Sequence, residues 1–205
     1  KNCTFKNSKM NGIIFDENSK LHTISEFAFE GSEIINSFNI PNNLISIKDY
    51  AFRNSKLGGI LFSKKTNLIE IGISAFEMST IENTFNIPSK LKCLNNSIFK
   101  NCKLNGLYFD KESELISINE SAFEGSKING NFEFPKKLNI IHNYSFKNSI
   151  LGIVDFQKAS NLEIIGIGAF QNSTISANLY FYSPIKIISI DAFKNCSQIG
   201  ELIFF

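Results

Sequence analysis

The feature that most constrains the fold of this chain is a phenylalanine that recurs at a nearly constant interval along all 205 residues. The recurring residues are Phe5, Phe29, Phe52, Phe76, Phe99, Phe123, Phe146, Phe170 and Phe193. The intervals alternate between 24 and 23 residues, so a two-repeat period of 47 holds without a slip. A fixed period of this length is the signature of a repeat architecture.

The residues around each recurring phenylalanine repeat as well. Ala precedes most of them, with Thr4, Ile98 and Ser145 as the departures. A small residue follows each one three positions later: Ser8, Ser32, Ser55, Ser79, Cys102, Ser126, Ser149, Ser173 and Cys196. Five positions after the phenylalanine an aliphatic side chain returns, one place late at Ile199, and opens a predicted strand.

Two apolar residues spaced by two follow in each coil, which places both side chains on one face of a short strand. In one repeat type the pairs are Ile13/Phe15, Ile60/Phe62, Leu107/Phe109, Val154/Phe156 and Leu202/Phe204. In the other type, which has one inserted residue, they are Phe38/Ile40, Phe85/Ile87, Phe132/Phe134 and Leu179/Phe181. A pair spaced by three, such as Leu68/Ile71, then returns the chain to the next phenylalanine. Because one coil cannot bury this apolar face alone, the coils must stack as a solenoid.

The pattern Leu-x-x-Ile-x-x-x-Ala-Phe-x-x-(Cys/Ser)-x-(Leu/Ile), as in Leu68 to Ile81, resembles the BspA-like leucine-rich repeats, also called the Treponema type. Ser replaces the family's usual Cys in seven of nine places. The resemblance covers essentially residues 1-205 and implies a single leucine-rich repeat solenoid domain. It implies a right-handed curved coil of about nine 23/24-residue repeats, with a parallel concave β-sheet and an irregular or short-strand convex side. The recurring phenylalanines would stack as a spine on the convex side.

By this resemblance one continuous concave sheet holds the strands near 12-16, 37-41, 59-63, 84-88, 106-110, 131-135, 153-157, 178-182 and 201-205. The residue between the two inward positions of each strand points to solvent, and these residues with one further outward tyrosine form the predicted partner-binding surface. They are Ile14, Asn39, Leu61, Asn86, Tyr108, Glu133, Asp155, Tyr180 and Tyr182. Tyrosine is enriched in binding hot spots, but β-strands also favour tyrosine for their own stability.

Charge and hydropathy exclude several classes of partner. Lys and Arg number 21 against 19 Asp and Glu, and a formal net charge of +2 predicts no nucleic-acid or anionic-membrane partner chosen by charge. No apolar run approaches the ~20 residues of a membrane span, so no membrane insertion is predicted. The abundance of Asn is typical of A/T-rich codons, and we give it no structural meaning at this stage.

The sequence predicts no catalytic or metal centre. His22 and His142 lie in coils five repeats apart and cannot share a site. Glu133 and Asp155, expected on neighbouring strands, could hold Ca²⁺ or act as an acid–base pair, but a solvated acidic patch is the simpler interpretation. No Gly-rich phosphate loop or zinc-type cysteine spacing occurs, so no cofactor is predicted. Four free thiols are expected: Cys3, Cys93, Cys102 and Cys196.

The family resemblance implies a protein–protein interaction module, with a microbial or protist surface or secreted adhesion protein as the leading hypothesis. An intracellular, cytoplasmic scaffold is the alternative, indicated by the free thiols and by the lack of a visible signal peptide. The strand at 201-205 has nothing beyond it in the sequence. We therefore expect either a segment of a longer array or end-to-end self-association through this strand.

Overall fold

The chain coils into a solenoid of short parallel strands, as the repeat predicts. The computed structural model describes residues 3–16 and 18–205, and within these residues every element is a β-strand. No helix that could cross a membrane occurs in this described part. Each coil contributes strands to three faces, and each strand pairs with the equivalent strand of a neighbouring coil.

The first face is a continuous nine-stranded sheet that begins a few residues after each recurring phenylalanine. Its strands are Lys9–Met10, Glu33–Ile34, Lys56–Leu57, Thr80–Ile81, Lys103–Leu104, Lys127–Ile128, Ile150–Leu151, Thr174–Phe181 and Ser197–Phe204. The second residue of each short strand points inward; Ile34, Leu57 and Leu104 are fully buried. This sheet runs through every coil without a break.

The second face, here called the paired face, holds the strands on which the predicted binding surface lies. Its strands hydrogen-bond two by two: Phe38–Asn39 with Ile60–Leu61, Phe85–Ile87 with Leu107–Phe109, and Phe132–Glu133 with Val154–Asp155. The C-terminal halves of Thr174–Phe181 and Ser197–Phe204 form a fourth pair.

The prediction of one continuous sheet on this face is therefore wrong, and the inserted residue of alternate repeats is the physical reason. From Phe38 to Ile60 is 22 residues, and these strands come level and pair. From Ile60 to Phe85 is 25 residues, and here the ladder breaks. The continuous sheet lies instead where the intervals differ by only one residue. Residues 12–16, expected as the first strand, have no strand assigned.

The third face carries the return segments with the apolar pair spaced by three. It contains a three-stranded sheet, Thr23–Ile24, Ser46–Ile47 and Glu70–Ile71. A five-stranded sheet follows, made of Cys93–Leu94, Ser117–Ile118, Ile140–Ile141, Ile164–Ile165 and Ile187–Ile188.

The phenylalanine spine is confirmed. All eight consecutive pairs of rings from Phe5 to Phe193 are stacked, with centroids 4.9–5.4 Å apart and interplanar angles of 0–15°. This separation is close to the ~4.8 Å between neighbouring strands of a sheet, so the ring stack and the strand ladders share one pitch. The edge of Phe85 meets the faces of Phe76 and Phe99 at 5.2 and 5.0 Å, which joins the paired face to the spine.

Two columns of left-handed backbone flank the spine. The residues two before and two after each recurring phenylalanine all have positive φ. The later column holds six Asn, two Gly and one Met: Asn7, Gly31, Asn54, Met78, Asn101, Gly125, Asn148, Asn172 and Asn195. Asn and Gly adopt this conformation at the lowest cost. Part of the Asn content is therefore structural, which the sequence interpretation missed.

The small-residue column caps the same turn. Ser32 Oγ and Ser173 Oγ donate to the carbonyl oxygens of Phe29 and Phe170, each at 2.6 Å, so the buried hydroxyls are satisfied within their own coil. Cys102 occupies this column and is fully buried. The main chain of the turn also bonds across coils, as where Phe123 N donates to Ser145 O at 2.6 Å.

Replacement of a central spine residue should lower stability far more than replacement of a terminal one. Phe123 is fully buried, so we expect Phe123→Ala to cost about 3 to 5 kcal/mol of unfolding free energy. Phe5 is 46% exposed and has one ring neighbour in the spine, so Phe5→Ala serves as the control and should cost clearly less. Denaturant unfolding followed by circular dichroism measures both. Equal losses would show that the stack is not a shared core.

The left-handed column predicts a stabilising substitution. Met78 has φ +60° at a position where the other eight coils use Asn or Gly, and its side chain is exposed. We expect Met78→Asn to raise the free energy of unfolding by about 1 kcal/mol, because the backbone strain falls while little packing is lost. The reverse change, Asn101→Met, should lower it by a similar amount. A lower melting temperature for Met78→Asn would contradict the role of the column.

Candidate binding face

The structure places the nine predicted binding residues at the surface. Eight of them lie on the paired face or at its C-terminal end, where Asn39 is level with Leu61, Asn86 with Tyr108, and Glu133 with Asp155. The nine residues are exposed or half-buried, whereas the residues on either side of Tyr108 in its strand are buried. The expected alternation is present, and partner binding by these residues stays a prediction.

The two ends of this surface differ from its centre. Ile14 is 96% exposed and lies outside any strand, in the first coil. At the other end the ring of Tyr182 stacks on that of Phe205, with centroids 4.3 Å apart, and Tyr180 lies 6.5 Å from the same ring. The sequence groups Tyr108 with Tyr180 and Tyr182, but the structure divides them between a central groove and a terminal aromatic cluster.

The centre of the paired face is a groove around Tyr108. Three adjoining depressions share this residue, and its side chain is half exposed. The middle depression, of about 390 Å³, lies between strands Leu107–Phe109 and Phe132–Glu133. A second, of about 530 Å³, extends from Tyr108 towards Lys111, Lys136 and Lys158. The groove is open, and its walls combine an aromatic ring with charged and amide side chains.

The groove follows a break in the strand ladder. Phe132 N and Phe134 N donate to Ile153 O and Asp155 O of the next coil at 3.1 and 2.9 Å. Because alternate residues of a strand direct their main-chain groups to opposite edges, those of Glu133 face strand Leu107–Phe109. These two strands form no ladder with each other. The floor of the groove therefore presents main-chain hydrogen-bonding groups that a bound chain can reach.

The acidic pair predicted at the centre of the face is accompanied by a lysine. Glu133 and Asp155 are level on paired strands, and Lys158 forms an ion pair with Glu133. The hydrogen bond to Glu133, its charge and that of Asp155 raise the pKa of Lys158. Asp155 also accepts a hydrogen bond from Gln157 N at 2.7 Å, which caps the turn. The sequence interpretation named the two carboxylates but missed Lys158, two residues beyond the buried Phe156.

The remaining chemically reactive groups do not converge. His22 and His142 lie in coils far apart along the axis. The described residues contain no group of three or more His, Cys, Asp or Glu side chains that could hold a metal ion. The four cysteines are free, as predicted. Burial raises the pKa of the Cys102 thiol strongly, so that thiol stays protonated and inert.

The comparisons identify the family. The family model described as the BspA-type leucine-rich repeat region matches in six copies, over residues 1–128 and 108–205. The chain therefore belongs to the BspA-type leucine-rich repeat family, whose solenoids typically serve as non-enzymatic scaffolds for protein–protein binding. No curated protein is similar enough to count as a match.

One solved structure is similar in outline, the crystal structure of the pneumococcal vaccine antigen PcpA. It aligns with 98% of this chain and 75% of its own, at 17% identity and a TM-score of 0.40. A likeness at this level carries no argument about function.

Substitutions on the paired face should separate surface from core. We expect Tyr108→Ala to change the free energy of unfolding by less than about 0.5 kcal/mol, because the side chain is half exposed. Phe109→Ala, one residue further on, should cost about 3 to 5 kcal/mol because that ring is buried. Thermal unfolding measures both. A large loss for Tyr108→Ala would make Tyr108 a structural residue and would remove it from the binding surface.

Proposed function

We propose that this chain binds a protein partner through the paired face, with the groove around Tyr108 at the centre of the contact. Membership of a family of binding scaffolds supports this proposal. The observation that carries it is the break in the ladder beside a half-exposed Tyr108, where an aromatic side chain, charged groups and main-chain polar groups meet. Aromatic residues set among polar groups are typical of the energetic centre of an interface.

The family resemblance supports a finer proposal, that the module acts in adhesion at the surface of a microbe or protist or as a secreted protein. Four free thiols, one of them fully buried, favour the alternative of an intracellular scaffold, because reduced cysteines are typical of reducing compartments. The compartment of the captured partner distinguishes the two.

The proposed function predicts a selective loss of partner capture. Wild-type protein and the triple variant Tyr108→Ala/Tyr180→Ala/Tyr182→Ala are immobilised and exposed to lysate and to surface extract of the native host, and bound proteins are identified by mass spectrometry. The control variant is Ile45→Ala/Ile69→Ala/Ile116→Ala, which removes three exposed side chains from the third face. All proteins are first checked for unchanged melting temperatures.

We expect the tyrosine variant to lose a protein that wild type and control retain. Retention of that protein by both variants would place binding outside the paired face. Loss in the isoleucine variant alone would assign it to the third face.

A further inference from the structure

A row of lysines borders the groove along one edge of the paired face. It lies in the turns that follow the paired strands of five consecutive coils, at 63–67, 88–90, 110–114, 135–137 and 157–161, which we call the basic rim. The rim carries seven exposed lysines: Lys64, Lys65, Lys90, Lys111, Lys136, Lys137 and Lys158. The repeat brings them together although nearly 100 residues of sequence separate the first from the last.

Most of these lysines have no carboxylate partner. Lys158 pairs with Glu133, and Lys90 Nζ donates to Asn67 Oδ1 at 2.9 Å. The other five form no ion pair with any residue that the structure describes. Cations elsewhere are matched, as where Lys9 and Lys56 flank Glu33 in the nine-stranded sheet.

The rim is more positive than the chain as a whole. Its seven lysines face three carboxylates, a formal charge of +4, whereas the complete chain carries +2. Neighbouring coils stack about 4.8 Å apart, so these charges lie within a few Debye lengths of one another at physiological salt. The interpretation that positive charge is dispersed is therefore wrong for this edge of the molecule, because the fold collects lysines from five turns.

The rim and the groove form one surface. Lys111, Lys136 and Lys158 line the depression that also contains Tyr108, and Lys64 lines its neighbour. A ligand seated in the groove thus meets ammonium groups along one side and unpaired main-chain groups below. Five coils at about 4.8 Å span roughly 19 Å, the length of about six residues of extended polypeptide.

The carboxylates within the rim favour a polypeptide over a uniform polyanion. Asp110 is used within its own turn, where it accepts a hydrogen bond from Glu112 N at 2.8 Å. Glu112 and Glu114 lie at the centre of the row and are not ion-paired in the described structure. A nucleic acid or a sulfated polysaccharide carries an anion in nearly every unit and would place several against them. A polypeptide can place a neutral or basic side chain there.

We propose that the groove and the basic rim together bind an acidic segment of a partner protein in extended conformation. The carboxylates of the segment pair with the rim lysines, its main chain meets the open edge of strand Phe132–Glu133, and one side chain packs on Tyr108. This proposal rests on the proposed function and names the chemistry of the partner at the same face.

Fluorescence anisotropy with defined probes tests this assignment. The probe is a short fluorescein-labelled peptide in which Glu alternates with Ser, and the matched neutral probe has Gln in place of Glu. The rim variant Lys64→Gln/Lys111→Gln/Lys136→Gln is compared with the control Lys92→Gln/Lys103→Gln/Lys127→Gln, which removes the same charge from exposed lysines that also lack ion pairs. A heparin fragment and an oligothymidylate serve as competing polyanions.

We expect the acidic probe to bind about tenfold more tightly than the neutral probe, and its affinity to fall as salt is raised. The rim variant should lose about tenfold in affinity, while the control stays within about twofold of wild type. Equal binding of the two peptides, or equal losses in the two variants, would overturn the proposal. Tighter binding of heparin or oligothymidylate than of the acidic peptide would assign the rim to a uniform polyanion instead.

The pull-down separates this inference from the proposed function. If the rim variant retains a captured protein that the tyrosine variant loses, the paired face binds a partner that is not recognised through acidic groups. If both variants retain it, the face itself is not the site.

Discussion

Stacking of the recurring phenylalanines is the interaction on which the rest of the structure depends. No coil has enough apolar surface to fold alone, and each ring is buried only because another ring covers it on either side. The ring separation of 4.9–5.4 Å nearly equals the spacing of hydrogen-bonded strands, so the spine and the nine-stranded sheet reinforce one pitch. Two columns of left-handed residues turn the chain tightly enough to present the ring inward in every coil.

The sequence predicts features that recur with the period and misses those that depend on small differences between repeats. The spine, the buried Ser/Cys column and the outward position of Tyr108 follow directly from side-chain spacing. The pairing of strands two by two does not, because it is decided by one inserted residue that changes the interval from 22 to 25. The Asn column was also missed, since a genome rich in A/T codons accounts for abundant Asn without reference to backbone conformation. Its position two residues after each phenylalanine was the available signal.

The candidate site illustrates the same limit. Strand alternation identifies which residues reach solvent, but net charge averages over the whole chain and hides the basic rim. Lys64, Lys111, Lys136 and Lys158 each stand two residues beyond the second apolar residue of a strand pair, a regularity visible only once that pair is used as the reference. The fold then adds what no sequence pattern contains, a groove where the ladder opens beside Tyr108. Binding capacity on this face therefore arises from irregularity within an otherwise periodic scaffold.

Residue-resolved amide hydrogen exchange tests most directly the central claim, that the spine holds every coil while the paired face opens between pairs. Phe99 N and Phe123 N donate to Ala122 O and Ser145 O at 2.7 and 2.6 Å, and we expect these amides to exchange only on global unfolding. On the paired face, Phe132 and Phe134 should be protected, whereas Glu133 between them should exchange much faster. Protection of Glu133 equal to that of Phe132 would mean that the ladder crosses the groove. Rapid exchange at Phe123 would show that the spine turn does not anchor the fold.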